Sequence, residues 1–106
     1  MTSSPSTFRI DRFDVPHPAL EAFMARLRIT QRLLDEREGC RQNLVLRGDE
    51  GSDSVAVVTI VEWASGEAMA AAKASMHEHY LREGFDPAAF MRSLGIRPDM
   101  GAYRPT

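Results

Sequence analysis

The sequence predicts an α+β fold, a βαββαβ unit whose four strands form one antiparallel sheet with two long helices on the same face. Three observations predict it. Two long stretches carry apolar residues at helical spacing, three short stretches are rich in β-branched and aromatic residues, and glycine or proline stands at most of the joins. The 106 residues suffice for one such domain and leave no room for a second.

The charge and hydropathy of the chain argue against two classes of partner. Its 13 basic and 15 acidic residues are scattered and give a net charge of −2, so no basic stripe is available to follow a phosphate backbone. No apolar run approaches the roughly 20 residues that span a bilayer. We therefore expect neither a nucleic acid nor a membrane as a partner.

The N-terminal stretch and the single cysteine predict where the domain begins and where the protein resides. Residues 1–7, MTSSPST, are polar and lack the cationic and apolar regions of a signal peptide, so we expect a disordered tail and one domain over residues 8–106. Cys40 is the only cysteine, which excludes an intrachain disulfide and fits the reducing cytoplasm. Nothing around it indicates a reactive thiolate.

The first predicted strand is FRIDRFDV, residues 8–15, which is rich in aromatic and β-branched residues and ends before a proline. Its apolar residues do not alternate cleanly. Phe8 and Ile10 share one face, whereas Phe13 and Val15 share the other. Either the strand contains a bulge or both faces of the sheet are covered.

The first long helix is predicted from His17 or Pro18 to Glu38. A proline suits its first turn, and Gly39 suits its C-terminal cap. Gln31 is a polar residue on its apolar stripe, where it either reaches a backbone partner near the helix end or forms a pocket wall. The stripe consists of Leu20, Phe23, Met24, Leu27 and Leu34.

A β-hairpin is predicted to follow the first helix. Its strands are CRQNLVLR, residues 40–47, and VAVVTIVEWAS, residues 55–65, because the intervening GDEGSD, 48–53, supplies turn residues. The direction of Asn43 on the first of these strands depends on the register and is left open.

Two helices and a short strand are predicted for the rest of the chain. Ser65 can cap a long helix that runs to Gly84. The stretch DPAAFMRSLG, 86–95, has aspartate, proline and glycine where a short helix begins and ends. One short strand fits around Met100 to Tyr103.

The strand within residues 55–65 is apolar on both of its faces. Alternate residues from Val55 to Trp63 point to one face, alternate residues from Ala56 to Glu62 point to the other, and both sets are mostly apolar. Helices in a βαββαβ unit cover only one face of the sheet. A second copy of the chain is the simplest cover for the other face, which predicts a homodimer built as a closed α+β barrel.

Four stretches carry a family resemblance: DRFDVP, EREGC, VTIVEWAS and FDPAAFMRSLGIRPDMGAYRP. Through them the chain resembles, from about Phe8 to Arg104, the antibiotic biosynthesis monooxygenase (ABM) family of dimeric α+β barrels with ferredoxin-like subunits. That family includes cofactor-independent monooxygenases of polycyclic aromatic phenols, quinol oxygenases and haem-degrading enzymes. The resemblance implies a site between the sheet and the helices of each subunit.

The resemblance also implies site residues. In the phenol monooxygenases a strand asparagine, a tryptophan four residues later and a tyrosine six residues beyond line the site. Trp63 matches the tryptophan, while Thr59 stands at the asparagine position and Met69 at the tyrosine position. Haem degraders use a histidine about ten residues after the tryptophan, where this chain has Lys73.

His79 and Tyr80 are the candidate catalytic residues of the second long helix. At about 100° per residue both fall within the arc that faces the sheet, whereas His77 falls on the flank or the opposite side. An imidazole near neutral pH can take a proton from a phenol or bind haem iron. The alternative is a half-buried His79 bonded to the backbone or to Glu83.

Neither a metal ion nor a cofactor is expected. Two histidines two residues apart on a helix diverge by about 200° and cannot both bind one ion, which argues against a metal site at HEH, 77–79. No Gly-rich phosphate loop and no cluster of cysteines is present either.

The candidate substrate-binding residues belong to the helix–sheet layer. Trp63 is either a core residue under the second helix or a flat wall on which a planar ligand stacks. Methionine side chains adapt to irregular apolar ligands, although gap filling is their commoner role. The other candidates are Thr59, Gln31, Met24, Met69 and Met76.

Three functions stand as hypotheses. The first is a cofactor-independent monooxygenase of a small planar phenol or quinol, in which Trp63 stacks on the ring, His79 takes the phenolic proton, and Tyr80 and Gln31 orient oxygens. The second is a non-catalytic dimer that binds a small apolar or aromatic ligand or is purely structural, which the replaced asparagine and tyrosine favour. The third is a haem-binding or haem-degrading relative.

Overall fold

The order of helices and strands is that of the predicted βαββαβ unit. A computed structural model of the protein describes residues 5–50 and 53–106. Its elements are β1 (Thr7–Pro16), a 3₁₀ turn (His17–Ala19), α1 (Leu20–Asp35), β2 (Cys40–Glu50), β3 (Ser54–Trp63), α2 (Gly66–Glu83), α3 (Pro87–Ser93) and β4 (Arg97–Tyr103).

The four strands form one antiparallel sheet in the order β2-β3-β1-β4, which confirms the ferredoxin-like α+β fold. The central strand β1 pairs with β3 without interruption from Thr7 opposite Trp63 to Pro16 opposite Ser54. An uninterrupted ladder excludes a bulge in β1. The two apolar sets of β1 therefore lie on opposite faces of the sheet.

The bounds of several elements differ from the prediction. The first strand begins at Thr7, which is buried, and the last strand begins at Arg97. α1 ends at Asp35, three residues early, because the chain must turn back toward the sheet. Gly39 completes that turn with φ +86°, and a β-carbon there would lie 2.7 Å from that of Ala68. Close approach of the turn to α2 thus requires glycine.

Both predicted caps of the later helices are present. The Ser65 hydroxyl accepts a hydrogen bond from the amide of Ala68 at 3.1 Å, and the Asp86 carboxylate accepts one from the amide of Ala89 at 3.1 Å. Gly84 ends α2 with φ +71°, the left-handed conformation of a helix C-terminus. The Ser65 cap places the start of α2 at Gly66, shortly after β3 ends at Trp63.

The core lies on the sheet face that the helices cover. Every second residue of β3 from Val55 to Trp63 is buried, and the intervening residues are half-buried, as the pattern predicts. Two clusters of buried side chains share this face. One is centred on Phe13, Val57 and Phe23, and the other on Val61, Trp63 and Ala72.

Two predicted segments fall partly outside the described residues. Of the expected tail, residues 1–4 lie outside them, whereas Ser6 donates a hydrogen bond to Glu62 at 2.6 Å. Of the expected turn at 48–53, residues 51–52 lie outside them, and β2 continues to Glu50. In the described part of the chain, no helix combines the length and apolarity that crossing a membrane needs.

Candidate functional site

Between the two core clusters, the helix-facing side of the sheet carries a polar row. Asp11 of β1 lies opposite Thr59 of β3, and on its other side opposite Met100 of β4. Thr59 is buried and the Asp11 side chain is 17% exposed. Along β3 this row separates the two clusters, since Val57 of the first lies on one side of Thr59 and Val61 of the second lies on the other.

A cavity of about 690 Å³ lies above the polar row. This volume falls within the roughly 300–1,000 Å³ of small-molecule sites. Its walls come from α1, α2, α3 and the segment that joins the last two, and its lining is mostly apolar. Its floor consists of Arg9, Asp11, Phe13, Thr59, Val61 and Trp63.

Five of the eight predicted site residues line this cavity: Trp63, Thr59, Met76, Gln31 and Tyr80. Met24 and Met69 do not. Met24 packs on the cluster around Phe13, and Met69 packs on the cluster around Trp63 and borders a separate, more polar pocket. For these two methionines the commoner role of core filling describes their position.

The third predicted residue outside the lining is His79. It is half-buried, and its Nε2 atom lies 3.6 Å from a carboxylate oxygen of Glu83. His77, which was expected to face water, is exposed but borders the cavity. On an α-helix, His77 lies about 100° to one side of Met76 and His79 about 60° to the other. The cavity lies on the side of His77.

Arg9 and Asp11 are cavity residues that the sequence-based candidates omitted. Their side chains form an ion pair, Nε to Oδ1 at 2.7 Å, on the floor of the cavity. The period of two in a strand could have found them, because Phe13 and Val15 face the helices and residues 9 and 11 share their face.

The hydroxyl of Tyr80 points to the α1 side of the cavity, 3.4 Å from the hydroxyl of Thr30. The Tyr80 ring packs against Phe85 with centroids 5.5 Å apart, and Phe85 in turn packs against Phe90. A chain of aromatic rings thus forms the wall between α2 and α3.

Arg26 fastens this aromatic wall to α1. Its guanidinium donates two hydrogen bonds to Glu83, at 2.6 and 2.7 Å, and stacks on Phe85 with Cζ 3.5 Å from the ring centroid. The hydrogen bond from Arg26 holds the pKa of Glu83 below its usual value, and the same bond raises the pKa of Arg26. Arg26 lines the cavity, so this ion pair connects α1 to α2 at the border of the site.

Gln31 and Asn43 connect α1 to β2. The side-chain nitrogen of Gln31 donates to the side-chain oxygen of Asn43. The side-chain nitrogen of Asn43 donates to the backbone carbonyl of Gln31 and to the carboxylate of Asp35, both at 2.9 Å. The Asn43 side chain therefore lies on the face of the sheet that the helices cover and points to α1. Gln31 lines the cavity, and the partner of its side-chain amide is the Asn43 side chain instead of the backbone group that was the alternative prediction.

Cys40 is half-buried at the start of β2. Burial, followed by the neighbouring charge of Asp35, raises the pKa of its thiol. A raised pKa disfavours the reactive thiolate, in line with the inert thiol expected from the sequence.

The fold has several counterparts among solved structures. A variant of SnoaB, a cofactor-independent oxygenase from Streptomyces nogalater, is 21% identical over 94% of this chain and 92% of its own, with a TM-score of 0.69. A dimeric ferredoxin-like protein from an uncultured marine organism is 13% identical over 97% of each chain, with a TM-score of 0.74. A conserved protein from Methanosarcina mazei is 15% identical over 96% of this chain and 94% of its own, with a TM-score of 0.75.

The sequence itself carries the family assignment. No curated protein matches it. The family model described as antibiotic biosynthesis monooxygenase matches residues 8–82, which include nearly all of β1 and α2 and the whole of α1 and both hairpin strands. Because this match covers most of the chain and the fold agrees with it, the protein belongs to the antibiotic biosynthesis monooxygenase family.

Proposed function

We propose that the protein is a monooxygenase that needs no cofactor and acts on a small planar aromatic substrate of the phenol or quinol type. The observation that carries the proposal is the apolar cavity of about 690 Å³ with Trp63 in its floor and Tyr80 in its wall. Flat aromatic side chains suit a flat ligand, because stacked rings gain more than their buried area alone. Family membership and the similarity to a cofactor-independent oxygenase support the reaction type.

The proposed chemistry begins with removal of a proton from the bound substrate. Loss of that proton from an anthrone leaves an electron-rich phenolate, which supplies the electrons that reduce dioxygen. One oxygen atom bonds to the ring carbon as a carbonyl, and the two hydrogens of that carbon leave with the second oxygen atom as water. The protein contributes binding, orientation and a proton acceptor.

We assign the proton acceptor to His77 in place of His79. His77 borders the cavity, whereas His79 lies outside its lining and close to Glu83. Imidazole is the side chain best suited to general-base work near neutral pH. Asp11 also lines the cavity, but its carboxylate is paired with Arg9.

Two polar groups are proposed to orient the substrate oxygens. The Tyr80 hydroxyl, at 3.4 Å from that of Thr30, can turn to donate toward the cavity. One N–H of the Gln31 side-chain amide donates to Asn43, and the carbonyl oxygen of the same amide can accept from a substrate hydroxyl.

Oxygen uptake with a panel of anthrones and quinols tests the proposed function. We expect the purified protein, after dialysis against a chelator, to consume one dioxygen per substrate and to yield a product with one added oxygen atom. A panel member that binds and stabilises the protein without oxygen uptake would instead indicate the non-catalytic ligand-binding alternative.

We further propose that the protein works as a homodimer in which the second copy covers the outer face of the sheet. That face carries apolar side chains from β2, β3 and β1, and Leu46 and Tyr103 on it are 46% and 55% exposed. Exposed apolar patches of this kind are typical of interfaces. The similar marine protein is described as dimeric, which supports the proposal.

Light scattering at micromolar concentration tests the dimer. We expect the wild-type protein to have twice the mass of one chain and a Leu44→Glu/Leu46→Glu variant to have the mass of one chain, because buried unpaired carboxylates are costly. Ile29→Glu is the control, since Ile29 is similarly exposed but lies on α1. A wild-type protein with the mass of one chain would contradict the proposal.

A further inference from the structure

We propose that Arg9 is an oxyanion-binding residue of the cavity and that the substrate carries an anionic oxygen, a carboxylate or an ionised phenol, on its aromatic framework. This inference rests on the proposed function, because it takes the cavity as the substrate site. It adds that the substrate carries a negatively charged oxygen, which the apolar lining of the cavity does not by itself predict.

The position of Arg9 is fixed by a rigid part of the sheet. It lies opposite Val61 in the uninterrupted ladder between β1 and β3, on the face that the helices cover. Its side chain is 32% exposed and borders the cavity. Asp11 pairs with its guanidinium and holds the side chain against the floor of the cavity.

The ion pair leaves most of the guanidinium available. Asp11 accepts from Nε at 2.7 Å, whereas an arginine has five N–H donors. Among residues 5–50 and 53–106, no acceptor binds the two terminal nitrogens of Arg9. The four N–H groups that they carry form a planar fork that matches an oxyanion with two oxygens. Asp11 orients this fork, which lowers the entropy lost when a ligand binds.

The other charges around the cavity leave Arg9 as its best-placed anion receptor. Arg26 is engaged by Glu83. Asp86 caps α3 through the amide of Ala89, and Asp11 is paired with Arg9. Lys73, an exposed residue of α2, adds a further positive charge at the cavity.

Binding of matched naphthalene probes tests the inference without any turnover. We expect the wild-type protein to bind 2-naphthoate about 10- to 100-fold more tightly than the neutral 2-naphthamide of the same shape, as charge-assisted hydrogen bonds predict. In Arg9→Gln this preference should disappear while the dissociation constant of the amide stays the same. Arg9→Lys should keep a smaller preference, because it retains the charge without the fork. Binding of 2-naphthol above and below the pH at which it ionises distinguishes a phenolate from a carboxylate site.

Arg12→Gln provides a matched control. Arg12 also pairs with an aspartate two residues later on β1, Asp14 at 3.3 Å, but it lies on the opposite face of the sheet. The Arg12→Gln variant should therefore keep the wild-type preference for 2-naphthoate over 2-naphthamide. Thermal unfolding of each variant verifies that it is folded.

Two outcomes would overturn the inference in distinguishable ways. Equal affinity of the wild-type protein for the three probes, or a preference that survives in Arg9→Gln, contradicts the role of Arg9 and leaves the proposed function standing. Failure of every probe to bind contradicts the cavity as an aromatic site and removes both. Absence of oxygen uptake with intact anion selectivity contradicts only the proposed reaction.

Discussion

Replacing Trp63 with alanine is expected to lower the free energy of unfolding by about 3–5 kcal/mol. The side chain is 2% exposed and belongs to the cluster with Val61 and Ala72, so its removal both loses apolar burial and leaves a space that neighbours only partly fill. Urea unfolding followed by far-ultraviolet circular dichroism measures the change. Fluorescence cannot serve, because the chain has a single tryptophan.

The Trp63→Phe variant separates the two roles of this residue. A phenyl ring retains much of the apolar contact, so the loss of stability should be smaller than for alanine. Because Trp63 also lines the cavity, the smaller ring changes the shape of the cavity floor, and binding of 2-naphthamide should weaken at the same time. A loss of under about 1 kcal/mol for Trp63→Ala would show that the tryptophan is not part of the core.

Replacing His77 with glutamine is expected to lower kcat about 100-fold on any substrate that the oxygen-uptake panel identifies, in line with the usual contribution of a general base. The Michaelis constant should change much less, because the exposed imidazole adds little to substrate binding. Steady-state oxygen uptake at several substrate concentrations separates the two parameters.

His79→Gln is the control for this prediction. It lies on the same helix two residues later, outside the cavity lining, and should keep kcat within about threefold of the wild-type value. The reverse result would be a large loss of kcat for His79→Gln and none for His77→Gln. It would favour His79 as the proton acceptor, as the sequence suggested, and contradict the proposed role of His77.

The fold follows from local patterns in the sequence. The burial of every second residue of β3 agrees with its period of two, and the Ser65 and Asp86 caps appear at the predicted residues. These features depend on neighbours in the chain, so periodicity and capping chemistry suffice to predict them. The turn after α1 was less predictable, because its tight approach to Ala68 depends on packing between distant segments.

The site was predictable only in part, because it depends on how helices cross the sheet. Periodicity identifies the face of α2 that carries Met76, but not the side of that face on which a cavity opens. His77 and His79 flank that face, and only the structure shows that the cavity lies on the side of His77. The direction of Asn43 required the register of β2 against β3, which no local pattern contains.

The central place of β1 in the sheet has a consequence for how the chain folds. Its partners, β3 and β4, lie about a third of the chain or more away in sequence, whereas β2 and β3 are joined directly. Pairing across such distances requires closure of long loops, which slows folding relative to helical proteins of the same size. Until β1 inserts, β3 presents an apolar edge from Val55 to Val61, so intermediates that lack this strand are the species most prone to aggregate.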